Sequence, residues 1–177
     1  MKVDHSEILV KTNKGSETRL KIADKLTVFR LAKASFTDVD FGTYVGSVSV
    51  QLDDYSPIVR DSLSWLHRAF ELRIFDEQLR GLALGHMEWD LTPESVMTHG
   101  WVDDLEVRVI SIKFGPTEEE ETDVDIPRDV PISKISLGDK GLIKQGANIF
   151  AGAVKDSEGN YMATFVFVGE DGAVPAL

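Results

Sequence analysis

The sequence predicts an α+β fold. An N-terminal mixed sheet with one or two amphipathic helices precedes a C-terminal half built as a small β-barrel. Three observations carry this reading. In "SPIVRDSLSWLHRAFELRIF", Val59, Leu63, Leu66, Phe70 and Ile74 form a stripe at helical spacing, widened by Trp65, Ala69 and Leu72. Beyond residue 97 most apolar runs are short and alternate with period two. Turn-forming clusters such as "NKGS" and "DSEGN" separate many of these runs. The organisation is an α+β domain over residues 1–97 and a β-rich domain over 98–177, packed separately or as one unit.

Taken in order, "SEILVKTNKGSETRLKI" reads as a hairpin, with Ile8 and Val10 facing Leu20 and Ile22 across the turn. "ADKLTVFRLAKASF" fits a helix, with Asp24 as its cap and Val28, Leu31, Ala32 and Ser35 on one face. "GTYVGSVSVQLD" is a strand with Val48, Val50 and Leu52 on one face and Ser47, Ser49 and Gln51 on the other. The long helix starts at Ser56-Pro57 and ends by Gly85, with Arg60, Ser64, His67 and Glu71 on its wet face. "GHMEWDL" is a short strand, and "TPESVMTHG" is a loop and candidate boundary.

In "LEVRVISIKF" the apolar parity slips by one residue, as a β-bulge requires. "VPISKISL" is a further strand, and "ANIFAGAVKDSEGNYMATFVFVG" is a hairpin whose second arm is apolar on both faces, as in a central strand. The strand count of this half resembles SH3-like or OB-like barrels. The resemblance is architectural, carries no motif and implies no function.

The chain has 177 residues and no cysteine, which removes disulfides, thiolate metal sites and cysteine nucleophiles. Its net charge is −11. Residues 1–100 hold 15 acids and 12 bases, whereas residues 101–177 hold 15 and 7. Such a chain repels phosphate backbones and anionic lipid, so neither nucleic acid nor membrane is expected as a direct partner. The start "MKVDHSEILV" has no apolar signal core, and the expected location is cytoplasmic.

The acidic run "FGPTEEEETDVDIPRD" reads as a solvated loop or as a docking surface for a basic protein. The docking residues are then Glu118, Glu119, Glu120, Glu121, Asp123 and Asp125, joined by Asp103 and Asp104. The run lacks the glycine of a calcium-binding loop. A second constellation is His86, Glu88 and Asp90, which alternate on one strand face and, with His99, carry a donor set for Mn²⁺, Fe²⁺ or Zn²⁺. Any half-buried strand also shows one polar face, so this pattern needs no ligand to explain it.

Nucleotide-binding glycine motifs and the Gly-x-Ser-x-Gly elbow are absent, and "LGDKGLIKQG" reads as a turn set by Asp139 and Gly141. No cofactor is expected. The expected function is a non-enzymatic accessory module, of inhibitor, immunity or assembly type, that docks a basic partner. A metal-dependent enzyme using the His86 face and a structural subunit of a virus particle or other assembly are the alternatives.

Overall fold

The β-branched and aromatic side chains of "LTVFRLAK" override its helical spacing. In the computed structural model, which describes residues 7–52, 66–117 and 120–175, this segment is the second half of a long strand. No α-helix occurs among the described residues, whose regular structure is eleven strands and three short 3-10 turns. The α+β expectation is therefore corrected to a nearly all-β fold.

Both expected helices fail for a physical reason. The first falls within β2 (Glu17–Lys33). Its adjacent residues Val28 and Phe29 are 4% and 8% exposed, so both strand faces are covered, and a two-sided apolar strand contains helical spacings by coincidence. The second begins at Ser56, and its cap and first turns lie outside the described residues. The remainder is β4 (Leu66–Phe75). A spacing of four is a multiple of two, so Leu66, Phe70 and Ile74 satisfy helix and strand alike. His67 and Glu71, expected on a wet helix face, are buried at 7% and 5% exposure.

Two compact units divide the chain. One holds residues through Leu31 together with Leu137–Pro175, and the other holds Ala32–Ser136. Position 97–98 lies inside β6 (Ser95–Glu106).

The second unit contains a closed ring of five strands. Its order is β4, β3 (Tyr44–Gln51), β6, β7 (Val109–Lys113) and β8 (Glu121–Asp125), and β8 pairs back onto β4. Four antiparallel junctions return the fifth strand parallel to the first, and β4 and β8 are parallel where they meet. The barrel is thus built from Tyr44 to Asp125 rather than from the C-terminal half. Its core holds Val45, Leu72, Ile74, Val102, Ile110, Ile112 and Val124. Each such burial contributes about 1.5–3 kcal/mol relative to exposure. Outside the ring, β5 (Gly85–Glu88) pairs with β6, and β9 (Ile132–Leu137) pairs with β4.

The parity slip after Leu105 is a chain reversal. Glu106 pairs with Val109, leaving Val107 and Arg108 as a two-residue hairpin loop. Val107 has φ +53° and is 91% exposed. A positive φ at the first central residue favours glycine, and a β-branched side chain there is strained. Arg108 anchors the loop by donating from Nε to Ile126 O and from Nη2 to Pro127 O at 2.9 Å, with its guanidinium over the Phe36 ring. Val107→Gly is expected to stabilise the protein by about 1 kcal/mol in urea unfolding. A loss of stability would assign Val107 a packing role that its exposure contradicts. The real bulge of β6 lies between Val102 and Asp104 and leaves Asp103 unpaired.

In the first unit, β1 (Glu7–Lys11) and β2 form the expected hairpin. β11 (Tyr161–Gly169) lies between β10 (Ile149–Lys155) and β2, parallel to β2. One face of β11 places Ala163, Val166 and Val168 in a core with Leu20 and Val28. On its other face Phe167 stacks on Phe29 at 4.7 Å. Phe165 lies over Gly152, where a Cβ would meet the ring at 2.1 Å. The "DSEGN" turn is tied by Asp156, which accepts from the Asn160 side chain and backbone and from Lys21 Nζ. Those bonds hold its carboxyl down at about 2.

Candidate functional site

Alternation along β6, β7 and β8 sends one residue set into the barrel and the other out. Val102, Ile110, Ile112, Thr122 and Val124 are inside and nearly fully buried. Trp101, Lys113, Ser111, Glu121, Asp123 and Asp125 therefore share the outer face.

The strand register arranges these outer residues in rows. Trp101 pairs with Lys113, which pairs with Glu121. Asp104, Ser111 and Asp123 form the next row, and Ser111 Oγ donates to Asp123 Oδ1 at 2.5 Å. Glu106, Val109 and Asp125 form the third, and Arg68 of β4 donates from Nε to Asp125 Oδ2 at 3.3 Å. Burial pushes the Glu121 carboxyl above the usual glutamate range, and the charges of Asp103, Asp123 and Asp104 push it further against the opposing pull of Lys113. A carboxylate is held in the field of three others, so Asp103, Asp104, Glu121 and Asp123 do converge.

The rest of the acidic run behaves differently. Glu118 and Glu119 lie outside the described residues. Glu120 turns back on its own loop, accepting on Oε2 from the Thr117 N–H at 3.1 Å and hydroxyl at 2.8 Å. Trp101 is 37% exposed and packs edge-on against Tyr44 at 4.8 Å.

The residues suggested for a metal separate. His86 pairs with Thr98 and shares its side of the sheet, while His99, one residue on, faces the opposite side. Glu88 ends β5, and Asp90 sits in the following bend, both exposed. Among the described residues no group of three or more His, Asp or Glu side chains is placed to hold a metal ion.

His99 belongs instead to a buried polar layer on the outer side of β3, β4 and β6. Its ring lies over Gly46, where a Cβ would meet Nε2 at 2.7 Å, and edge-on to Phe75. Its Nδ1 lies 3.1 Å from Leu82 O, which also accepts from the Tyr44 hydroxyl at 2.9 Å. Beside it, buried Arg73 pairs with buried Glu71. Desolvation raises the Glu71 carboxyl despite that cation, and it lowers His99.

A third polar group gathers at one end of the barrel wall, with His67 buried and His86 on the exposed strand β5. Ser49 Oγ lies 3.3 Å from His67 Nδ1, and Thr98 Oγ1 lies 2.8 Å from His86 Nδ1. The two rings meet edge-on with centres 5.6 Å apart, and His86 stacks on Phe114. Burial, then the His86 charge, lowers His67 to about 4. This meeting is not legible in the sequence, where His67 reads as part of the wet face of a helix.

No helix among the described residues is long and apolar enough to cross a membrane. Comparison with family models, curated proteins and solved structures gives no match.

Proposed function

We propose that the outer wall of β6, β7 and β8 docks a basic protein, and that the chain acts as a non-enzymatic binding module. The observation that carries this reading is the crowding of Asp103, Asp104 and Asp123 around Glu121, on the same strand face as Trp101. Like charges gathered on one wall cost the free protein some repulsion, and a cationic partner relieves it. The charges steer encounter, whereas an exposed tryptophan beside them supplies desolvated contact area.

The test is a capture from host lysate at low and moderate salt, with wild type, a D103N/D104N/E121Q/D123N variant and Trp101→Ala. The expected result is one basic protein, captured in stoichiometric amount and lost as salt rises. The neutralised variant should associate about ten-fold or more slowly with that purified protein, with a flattened salt dependence. Trp101→Ala should keep the on-rate and shorten the lifetime of the complex. The same partner held equally by the neutralised variant would sink the reading. The fold itself should tolerate neutralisation, since it removes repulsion rather than ion pairs.

A further inference from the structure

We propose that His67 and His86 form a two-imidazole site for a divalent transition-metal ion, Zn²⁺ first, at this polar end of the barrel wall. The set differs from the His86, Glu88, Asp90 and His99 pattern, because topology rather than sequence proximity brings the two rings together. His67 arrives on β4 and His86 on β5, and they meet with centres 5.6 Å apart. Two imidazoles bonded to one tetrahedral ion at about 2.0–2.1 Å place their ring centres roughly 5–6 Å apart.

The surroundings match what such ligands need. A metal-bound histidine uses one ring nitrogen for the ion and fixes the other by a hydrogen bond. Here each ring has its Nδ1 against a hydroxyl, Ser49 Oγ for His67 and Thr98 Oγ1 for His86. Both hydroxyl residues are fully buried on strands that pair along their length, so they are fixed points. With Nδ1 as the donor, Nε2 keeps its lone pair, and no described residue hydrogen-bonds to either Nε2. Phe114, stacked on His86, restrains that ring from the other side. Imidazole pairs suit Zn²⁺, Cu²⁺ and Ni²⁺ over Mg²⁺ or Ca²⁺. Two protein nitrogens leave the remaining positions to water or to a donor from an incoming molecule.

The test is calorimetric titration of the full chain with ZnCl₂ in chelator-free buffer at pH 7. Wild type should take up one equivalent. His86→Asn and His67→Asn should each abolish that uptake, and Thr98→Val should weaken it about ten-fold by releasing the His86 ring. The Glu88→Gln/Asp90→Asn double variant should bind as wild type does. No uptake by wild type, or uptake that survives His86→Asn, overturns the proposal, as does loss in the carboxylate variant. His67 is buried, so its variant needs a circular dichroism check. Should it fail to fold, Cu²⁺ electron paramagnetic resonance on wild type decides. Superhyperfine coupling to two imidazole nitrogens supports the site, and coupling to one or none overturns it.

Discussion

Arg73→Leu should lower the stability of the protein by about 3–5 kcal/mol at pH 7, the cost of leaving a buried carboxylate without its cation. Arg73 and Glu71 are 8% and 5% exposed and face the same side of β4. Desolvation already raises the Glu71 carboxyl with the guanidinium in place. Without Arg73 it rises further, and the pH dependence follows from that sign. A carboxyl with a raised folded pKa binds more protons folded than unfolded. Its variant therefore loses stability as pH rises through the folded value and regains it toward pH 4.5. Urea unfolding of the variant at pH 7 and pH 5 should show the larger deficit at pH 7. Replacing both residues, as Glu71→Met/Arg73→Leu, should recover most of the loss. An equal deficit at both pH values would mean that Arg73 acts through packing of its stem and not through Glu71.

The same strand explains how far the sequence could be read. Hairpins were legible wherever turn residues stood between alternating runs. The β1–β2 and β10–β11 pairs and the Asp139 turn all occur as expected, with Asp139 Oδ1 accepting from the Gly141 N–H at 2.7 Å. β4 was illegible because it is paired along both edges and, Arg68 and Phe70 apart, buried on both faces. A strand so placed shows no polar face, and its burial of His67, Glu71 and Arg73 cannot be told from a helix with a wet side. His67 and Glu71 were read as the wet face of a helix as a result. The acidic wall was half legible. The acidic run reads as a loop in the sequence, whereas Glu121–Asp125 forms β8, and the alignment of these acids with Asp104 and Trp101 depends on the β6–β7–β8 register, which no local pattern encodes. The separation of His86 from His99 has the same origin. They sit in neighbouring register positions on adjacent strands, and side-chain alternation sends them to opposite faces.

His67 and His99, at 7% and 8% exposure, lie buried on opposite sides of one sheet, and they set the second large expectation, a loss of stability between pH 6.5 and 4. His67, His86 and His99 are all lowered, in each case by burial first. A histidine with a depressed folded pKa binds fewer protons folded than unfolded. Its contribution is fully present above 6.5 and is lost as pH falls toward the folded value. For His67, between 6.5 and about 4, the loss amounts to about 3 kcal/mol at the lower end. His86 adds to it, since its charge is what opposes His67 after desolvation. Glu71 and Glu121 act with the opposite sign over the lower part of this range, so the wild-type slope alone does not isolate His67. The comparison that does is wild type against His67→Gln, unfolded by urea with EDTA present across pH 4–7. Glutamine keeps a polar partner for Ser49 and cannot protonate. The variant should be less stable at pH 7 and should close the gap by about 3 kcal/mol as pH falls to 4, because only wild type must then bury or expel a charge at position 67. A gap that stays constant would show that His67 protonates inside the barrel wall without penalty, which requires an acidic partner that the described structure does not place there.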